Sequence, residues 1–333
     1  MTNPILVEVT RGDLVESVHR GALAVVDADG AVVASLGDIE SPAYSRSSLK
    51  PMQAMVLVES GAAEAFGLSD EEIALACASH SGEPMHTIRV AAWLARIGLS
   101  EKDLACGAHP SRYEPVAEAM IRGGEKPTRL HNNCSGKHTG FLTVARHWDV
   151  ATEGYERIDH PVQRAVAAVL KDLSGAAELP YGIDGCAAPN FATSLTEFAR
   201  AAARMASGKG LPKPRADAAK RILGAMIKHP ELMSGTGRAC ATLSRASAGA
   251  AAVKTGAEGF FGGWIPGRGL GIAIKIDDGA GRASETVIAA VLDKLGLLGA
   301  SAKGLLRAPG LNTRGTTVGE RRPASALIAL RIP

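Results

Sequence analysis

Apolar and polar positions alternate at both ends of this chain and fall into helical periods through its middle. Ile5 to Thr10 is an apolar–polar run closed by the turn Arg11-Gly12-Asp13. Gly21 to Val26 and Ala31 to Leu36 flank Asp27-Ala28-Asp29-Gly30, a pattern that predicts a β-hairpin. From about residue 47 to 250 the spacing predicts helices over 51–61, 69–78, 85–97, 114–122, 136–148, 160–173, 192–206 and 214–228. Gly and Pro punctuate them at 182–189 and 209–214. Strand patterns return at 251–254 and 269–276, and Asp277-Asp278-Gly279 then turns the chain. A helix follows over 284–297, and 326–331 reads as a closing strand.

Strands at both ends with helices between them predict an α+β fold. Segments 1–46 and 251–333 form its sheet-containing part, and 47–250 is a large helical insertion. The two belong to a single compact unit.

Composition narrows the function. The chain has 333 residues, 46% hydrophobic and 4% aromatic, with a formal net charge of +3. No basic stripe interleaves with aromatics, which argues against nucleic acid. No run reaches the roughly 18 apolar residues of a membrane helix. The first residues, Met1 to Glu8, carry neither a basic region nor a long apolar one, so a cytoplasmic protein is expected. Five widely spaced cysteines, an odd number, fit reduced thiols.

The chain carries one Ser-x-x-Lys, Ser47-Ser48-Leu49-Lys50, at the entrance to the apolar run 52–59. Its serine reads in two ways. It is a helix N-cap, or a nucleophile whose hydroxyl meets the positive helix end and a lysine one turn on. A desolvated lysine is neutral near pH 7 and takes a serine proton. Lys254-Thr255-Gly256, at the start of the returning strands, is the third signature element of serine β-lactamases and penicillin-binding proteins, and it favours the catalytic reading. The middle element of that set, Ser-Asp-Asn or Tyr-x-Asn, is missing. In its stead Cys77-Ala78-Ser79-His80-Ser81-Gly82-Glu83 offers a second serine, or a capped polar loop. Cys134 and Cys186 are candidate soft ligands for zinc, with His138 or Lys137 as the nitrogen ligand and Asp184 nearby; buried inert cysteines are the competing reading.

Taken together, Arg46-Ser47-x-x-Lys50-Pro51, Cys77-Ala78-Ser79-His80-Ser81, Asn133-Cys134-Ser135-Gly136-Lys137-His138, Asp184-Gly185-Cys186 and His229-Pro230-Glu231-Leu232 resemble the rhizobial-type L-asparaginases. Asp159-His160-Pro161, Gly235-x-Gly237-Arg238 and Asn312-Thr313-x-Gly315 extend the likeness over about residues 8 to 320. The resemblance implies a serine-β-lactamase-like fold, a homodimer, and hydrolysis of L-asparagine to L-aspartate and ammonia. It implies two Ser–Lys tandems, Ser47 with Lys50 and Ser79 with Lys254. It implies one Zn²⁺ per chain on Cys134, Lys137 and Cys186, whereas general ligand chemistry favours His138 over the lysine. Arg46, His80, Asn133, Gly136 and His138 become candidates for binding substrate. A glutaminase, a penicillin-recognising serine hydrolase and a non-catalytic amino-acid binder are the alternative readings.

Overall fold

The terminal alternation resolves into one antiparallel sheet. The computed structural model describes residues 2–333. Its strands are β1 (Ile5–Arg11), β2 (Leu14–Val26), β3 (Val32–Leu36), β4 (Ala43–Tyr44), β5 (Tyr181–Ile183), β6 (Pro189–Thr193), β7 (Ala252–Thr255), β8 (Phe260–Ile265), β9 (Leu270–Ile276), β10 (Ala308–Leu311) and β11 (Thr317–Pro323). The main sheet has eight strands in the order β10-β11-β1-β2-β9-β8-β7, with β3 pairing β2 beside this path. Strands from the two ends therefore interleave, and β2 is the seam. Its exposed first half pairs β1, while its buried second half, Gly21–Val26, pairs β9 and β3.

Both faces of the sheet centre are covered. Adjacent residues of a strand point to opposite faces. A Cβ on Gly262 would meet Phe198 of the helix Leu195–Ser207, and one on Gly263 would meet Ile288 of the helix Gly281–Lys294. These two amphipathic helices thus sandwich β8 and β9, with Phe198 edge-on to Phe260 at 5.0 Å. This is the α+β architecture expected from the terminal strands, and the helical segments between residues 50 and 246 pack beside it.

Four local readings change. β8 (Phe260–Ile265) was not anticipated, because Phe-Phe-Gly-Gly-Trp-Ile is buried throughout and shows no alternation. A small sheet, β4-β6-β5, lies within the helical region, so the helix expected from 192 begins at Leu195, capped by the Ser194 side chain. The helix expected over 51–61 is broken into Lys50–Gln53 and Met55–Glu59. The closing strand expected at 326–331 is instead a short helix, Ser325–Ala329, and the last strand is the polar β11, paired with β1. Apolar content misled there: only Leu327 of the helix reaches the core, while the charged side chains of β11 suit a strand with a solvated face.

Gly136 sits where the helix Ser135–His147 crosses the helix Asp70–Ala76. A Cβ there would stand 2.4 Å from the Leu75 carbonyl oxygen. Its bareness sets the spacing between the two segments that carry Cys134 and Ser79. Gly136→Ala is expected to lower the unfolding free energy by about 1–3 kcal/mol, as overpacking does. A urea midpoint equal to that of the parent chain would show that the crossing has slack.

Candidate active site

Ser47 lies in a 3₁₀ turn, Arg46–Leu49, that runs directly into the helix Lys50–Gln53. Arg46 holds a positive φ of 49°, which a non-glycine residue adopts only under constraint. The constraint is visible: its backbone N–H donates to Asn190 Oδ1 (3.1 Å), and its guanidinium donates to Asp184 Oδ1 (2.8 and 3.2 Å). Ser48 Oγ ties the turn to the sheet by donating to the Lys254 carbonyl at 2.7 Å. Gly256 completes the junction, since a Cβ on it would lie 2.6 Å from the Ser45 carbonyl oxygen. This is the physical use of the glycine in Lys254-Thr255-Gly256. Around the turn, the N–H groups of Arg46, Ser48, Ser79, Thr255 and Gly256 already have acceptors. Among the described residues the Ser47 N–H has none.

Ser79 follows the helix Asp70–Ala76, with its N–H bonded to the Met233 carbonyl at 3.1 Å. Its Oγ lies 2.8 Å from Lys254 Nζ and 3.1 Å from Lys50 Nζ. Lys50 Nζ also donates to the carbonyls of Ala78 (2.6 Å) and Asn133 (3.4 Å) and lies 3.1 Å from Cys134 Sγ. Both amines are buried, Lys50 at 1% and Lys254 at 0% exposure. Burial, reinforced by the like charges of Lys50 and Arg238, pushes the Lys254 amine down to about 7. Ser79 therefore bridges the two lysines. No hydrogen bond joins Ser47 to Lys50 among the described residues.

A second cluster adjoins the first through Cys134. Lys137 Nζ lies 3.2 Å from Cys186 Sγ. The Cys134 thiol is raised by its hydrogen bond to Cys186 and by burial. Cys186 is held far below its usual value by that same bond, with the Lys137 charge assisting. Burial opposes the Lys137 ammonium, but the two sulfurs outweigh it and hold the amine above its ordinary value. The His138 ring lies beside Cys186, and its Nδ1 faces Tyr155 Oη at 2.7 Å, an oxygen that also accepts the Ala105 N–H at 2.8 Å. Its Nε2 is buried and makes no hydrogen bond of acceptable geometry. Among the described residues, no group of three His, Cys, Asp or Glu side chains is arranged to hold a metal. Two soft sulfurs beside an amine remain a donor set that suits a soft divalent ion.

A cavity of about 370 Å³ opens over these groups. Of the residues singled out from sequence, Arg46, Ser47, Ser79, Asn133, Cys134, Asp184 and Cys186 line it. Lys50, Lys137 and Lys254 stand behind that wall. His80, Gly136 and His138 do not line it. His80 Nε2 bonds to Ser135 Oγ at 2.9 Å and its Nδ1 accepts the Gly82 N–H, so this ring shapes the loop after Ser79. Burial holds it well below its usual value and therefore neutral. Sequence reasoning did not single out His109, Arg112 and Glu285, which also line the cavity. They sit in a loop or at a helix start with no motif, so nothing local marks them. Arg238 was visible only as part of Gly235-x-Gly237-Arg238.

Residues 7–323 match the family model described as L-asparaginase II, and the chain belongs to that family. No curated protein matches it in sequence. Among solved structures it is similar to Mglu in its native form, with 15% identity, a TM-score of 0.43 and 78% of this chain covered; the chain spans 59% of Mglu's length. It is similar also to a β-lactamase from Mycobacterium bovis, with 15% identity, a TM-score of 0.42, and 86% and 93% of the two chains covered. No helix among the described residues is long and apolar enough to cross a membrane.

Proposed function

We propose that this member of the L-asparaginase II family hydrolyses L-asparagine to L-aspartate and ammonia through a serine acyl-enzyme. The observation that carries the reading is the Lys254–Ser79–Lys50 bridge, set into the wall of a cavity that Ser47 also lines. Ser47 Oγ attacks the side-chain amide carbon. Its proton passes through Ser79 to Lys254, the amine that burial favours as neutral near pH 7. The oxyanion formed takes the unspent Ser47 N–H. Lys50, whose hydrogen bonds run to carbonyls and to Ser79, supplies protons back along the same serine to the departing ammonia. Water then cleaves the aspartyl ester by the reverse use of the same groups. In this relay Lys50 acts through Ser79 and not directly on Ser47, so the two tandems expected from sequence merge into one.

Replacing Ser47 by Ala is expected to abolish ammonia release from asparagine while the melting curve is kept. Near-normal turnover in that variant would overturn the nucleophile assignment. Glutamine and nitrocefin assayed in parallel separate the amidase reading from a glutaminase and from a penicillin-recognising hydrolase.

The kcat/KM for asparagine is expected to rise with pH through an apparent pKa near the value of about 7 at Lys254, and then to level off. The sign follows from the role: only the deprotonated amine accepts the serine proton. A profile that is flat, or that falls across this range, would exclude Lys254 as the base.

Cys134, Lys137 and Cys186 are the residues that would hold a zinc ion. Bound there, it would compensate two thiolates and stiffen the cavity wall beside Lys50. Lys137 must give up its proton to ligate, so zinc occupancy is expected to fall as pH is lowered. Elemental analysis of protein purified without added metal should approach one zinc per chain, and Cys186→Ser should lower it. A content below about a tenth of an equivalent would remove zinc from the site.

A further inference from the structure

Five charged side chains line the cavity besides the catalytic wall: Arg46, Asp184, Arg112, Arg238 and Glu285. They are not equivalent. Arg46 is neutralised in place, since Asp184 Oδ1 takes both of its hydrogen bonds. Arg112 and Arg238 have no salt bridge to any carboxylate among the described residues, although they face the same space. Partial burial and then the charge of Arg238 push the Arg112 guanidinium below its ordinary value. Of the carboxylates that line the cavity, Asp184 is taken by Arg46 and Glu285 feels the charge of Arg238 without bonding to it, so a bound carboxylate would give the two guanidiniums the hydrogen-bonded partner they lack.

The pair is also built. Its two loops are pinned to one segment, the polar run after Ser79. The Ser81 carbonyl accepts from Arg112 N at 2.8 Å and from Ser111 Oγ at 2.7 Å. Ser81 Oγ donates to the Ser234 carbonyl at 3.2 Å. The buried Glu83 carboxylate accepts from Thr236 N at 2.9 Å and Thr236 Oγ1 at 2.6 Å. Thus the loop that positions Ser79 also positions both arginines.

We infer that Arg112 and Arg238 form the clamp for the substrate's α-carboxylate, and that Asp184, through the oxygen Arg46 leaves free, takes the α-ammonium. This assignment rests on the amidohydrolase reading and adds a specificity rule to it. The substrate is an amide of a free α-amino acid, and an asparagine whose carboxyl is tied up in a peptide bond is refused. The guanidinium pair is the specificity determinant, and Arg46 is a positioning residue for Asp184.

The test compares L-asparagine with 3-aminopropanamide, the same amide without its α-carboxylate, in the parent chain and in Arg112→Ala, Arg238→Ala and Arg112→Lys. Each alanine variant should lose about 10- to 100-fold in kcat/KM on asparagine, mainly through KM, which is the scale of a charge-assisted hydrogen bond. On 3-aminopropanamide the same variants should differ from the parent by less than about twofold, since the clamp has nothing to hold. Arg112→Lys should recover part of the loss, as a point charge without the fork does. Equal losses on both substrates, or none on asparagine, would overturn the clamp. Calorimetric titration with L-aspartate judges the clamp without turnover. Weaker binding by about tenfold or more in the alanine variants supports it, and unchanged binding overturns it. If the parent releases no ammonia from asparagine, the amidohydrolase reading fails, while the aspartate titration still decides the carboxylate site.

Discussion

Two buried lysine amines within hydrogen-bond reach of one serine hydroxyl are the constraint around which this structure is arranged. Taking an ammonium out of water costs several kcal/mol even after relaxation, and a second amine nearby makes it worse. The chain meets that cost differently at each lysine. Lys50 is surrounded by acceptors, the Ala78 and Asn133 carbonyls and the Cys134 sulfur. Lys254 is left with little beyond its neighbour's carbonyl and Ser79, and burial favours its neutral form. The two amines thus meet one hydroxyl from unlike surroundings.

Holding that geometry takes rigid supports from distant parts of the chain. Lys254 rides on β7 at one end of the main sheet, and Ser48 and Gly256 lock the Ser47 turn against it. Ser79 and Asn133 come from two helical segments that approach as closely as Gly136 permits. His80 adds the cross-brace: its N–H donates to the Asn133 carbonyl at 3.2 Å, and its ring reaches Ser135. The strained Arg46 backbone is the local consequence of seating the turn where three segments meet, and the bonds to Asn190 and Asp184 hold it there.

The electrostatics of the cavity follow the same logic. Among the lining side chains, the guanidiniums of Arg46, Arg112 and Arg238 face the carboxylates of Asp184 and Glu285. Glu285 shows how these charges balance. Burial pushes its carboxyl above the usual value, against the opposing pull of Arg321 and Arg238. Like Arg112, it lies outside every motif.

Covalently local chemistry was legible in the chain. Ser-x-x-Lys at a helix entrance and Lys-Thr-Gly on a strand announce themselves because their residues are neighbours whose spacing fixes a shared face or turn. The terminal strands and most helices were legible for the same reason, through period. Where period was hidden, as in the doubly buried β8, or outweighed by apolar content, as at Ser325–Ala329, reading failed. What the amino-acid order determined, then, is which groups are present and which elements carry them. Only the tertiary structure decided that Lys50 reaches Ser79, a residue 29 positions away, and that Lys254 reaches it across 175. It likewise turned His138 toward Tyr155 and gathered Arg112 and Arg238 over one cavity. Such partnerships are set by how helices cross and where loops are pinned, and these packing distances have no signature in local spacing.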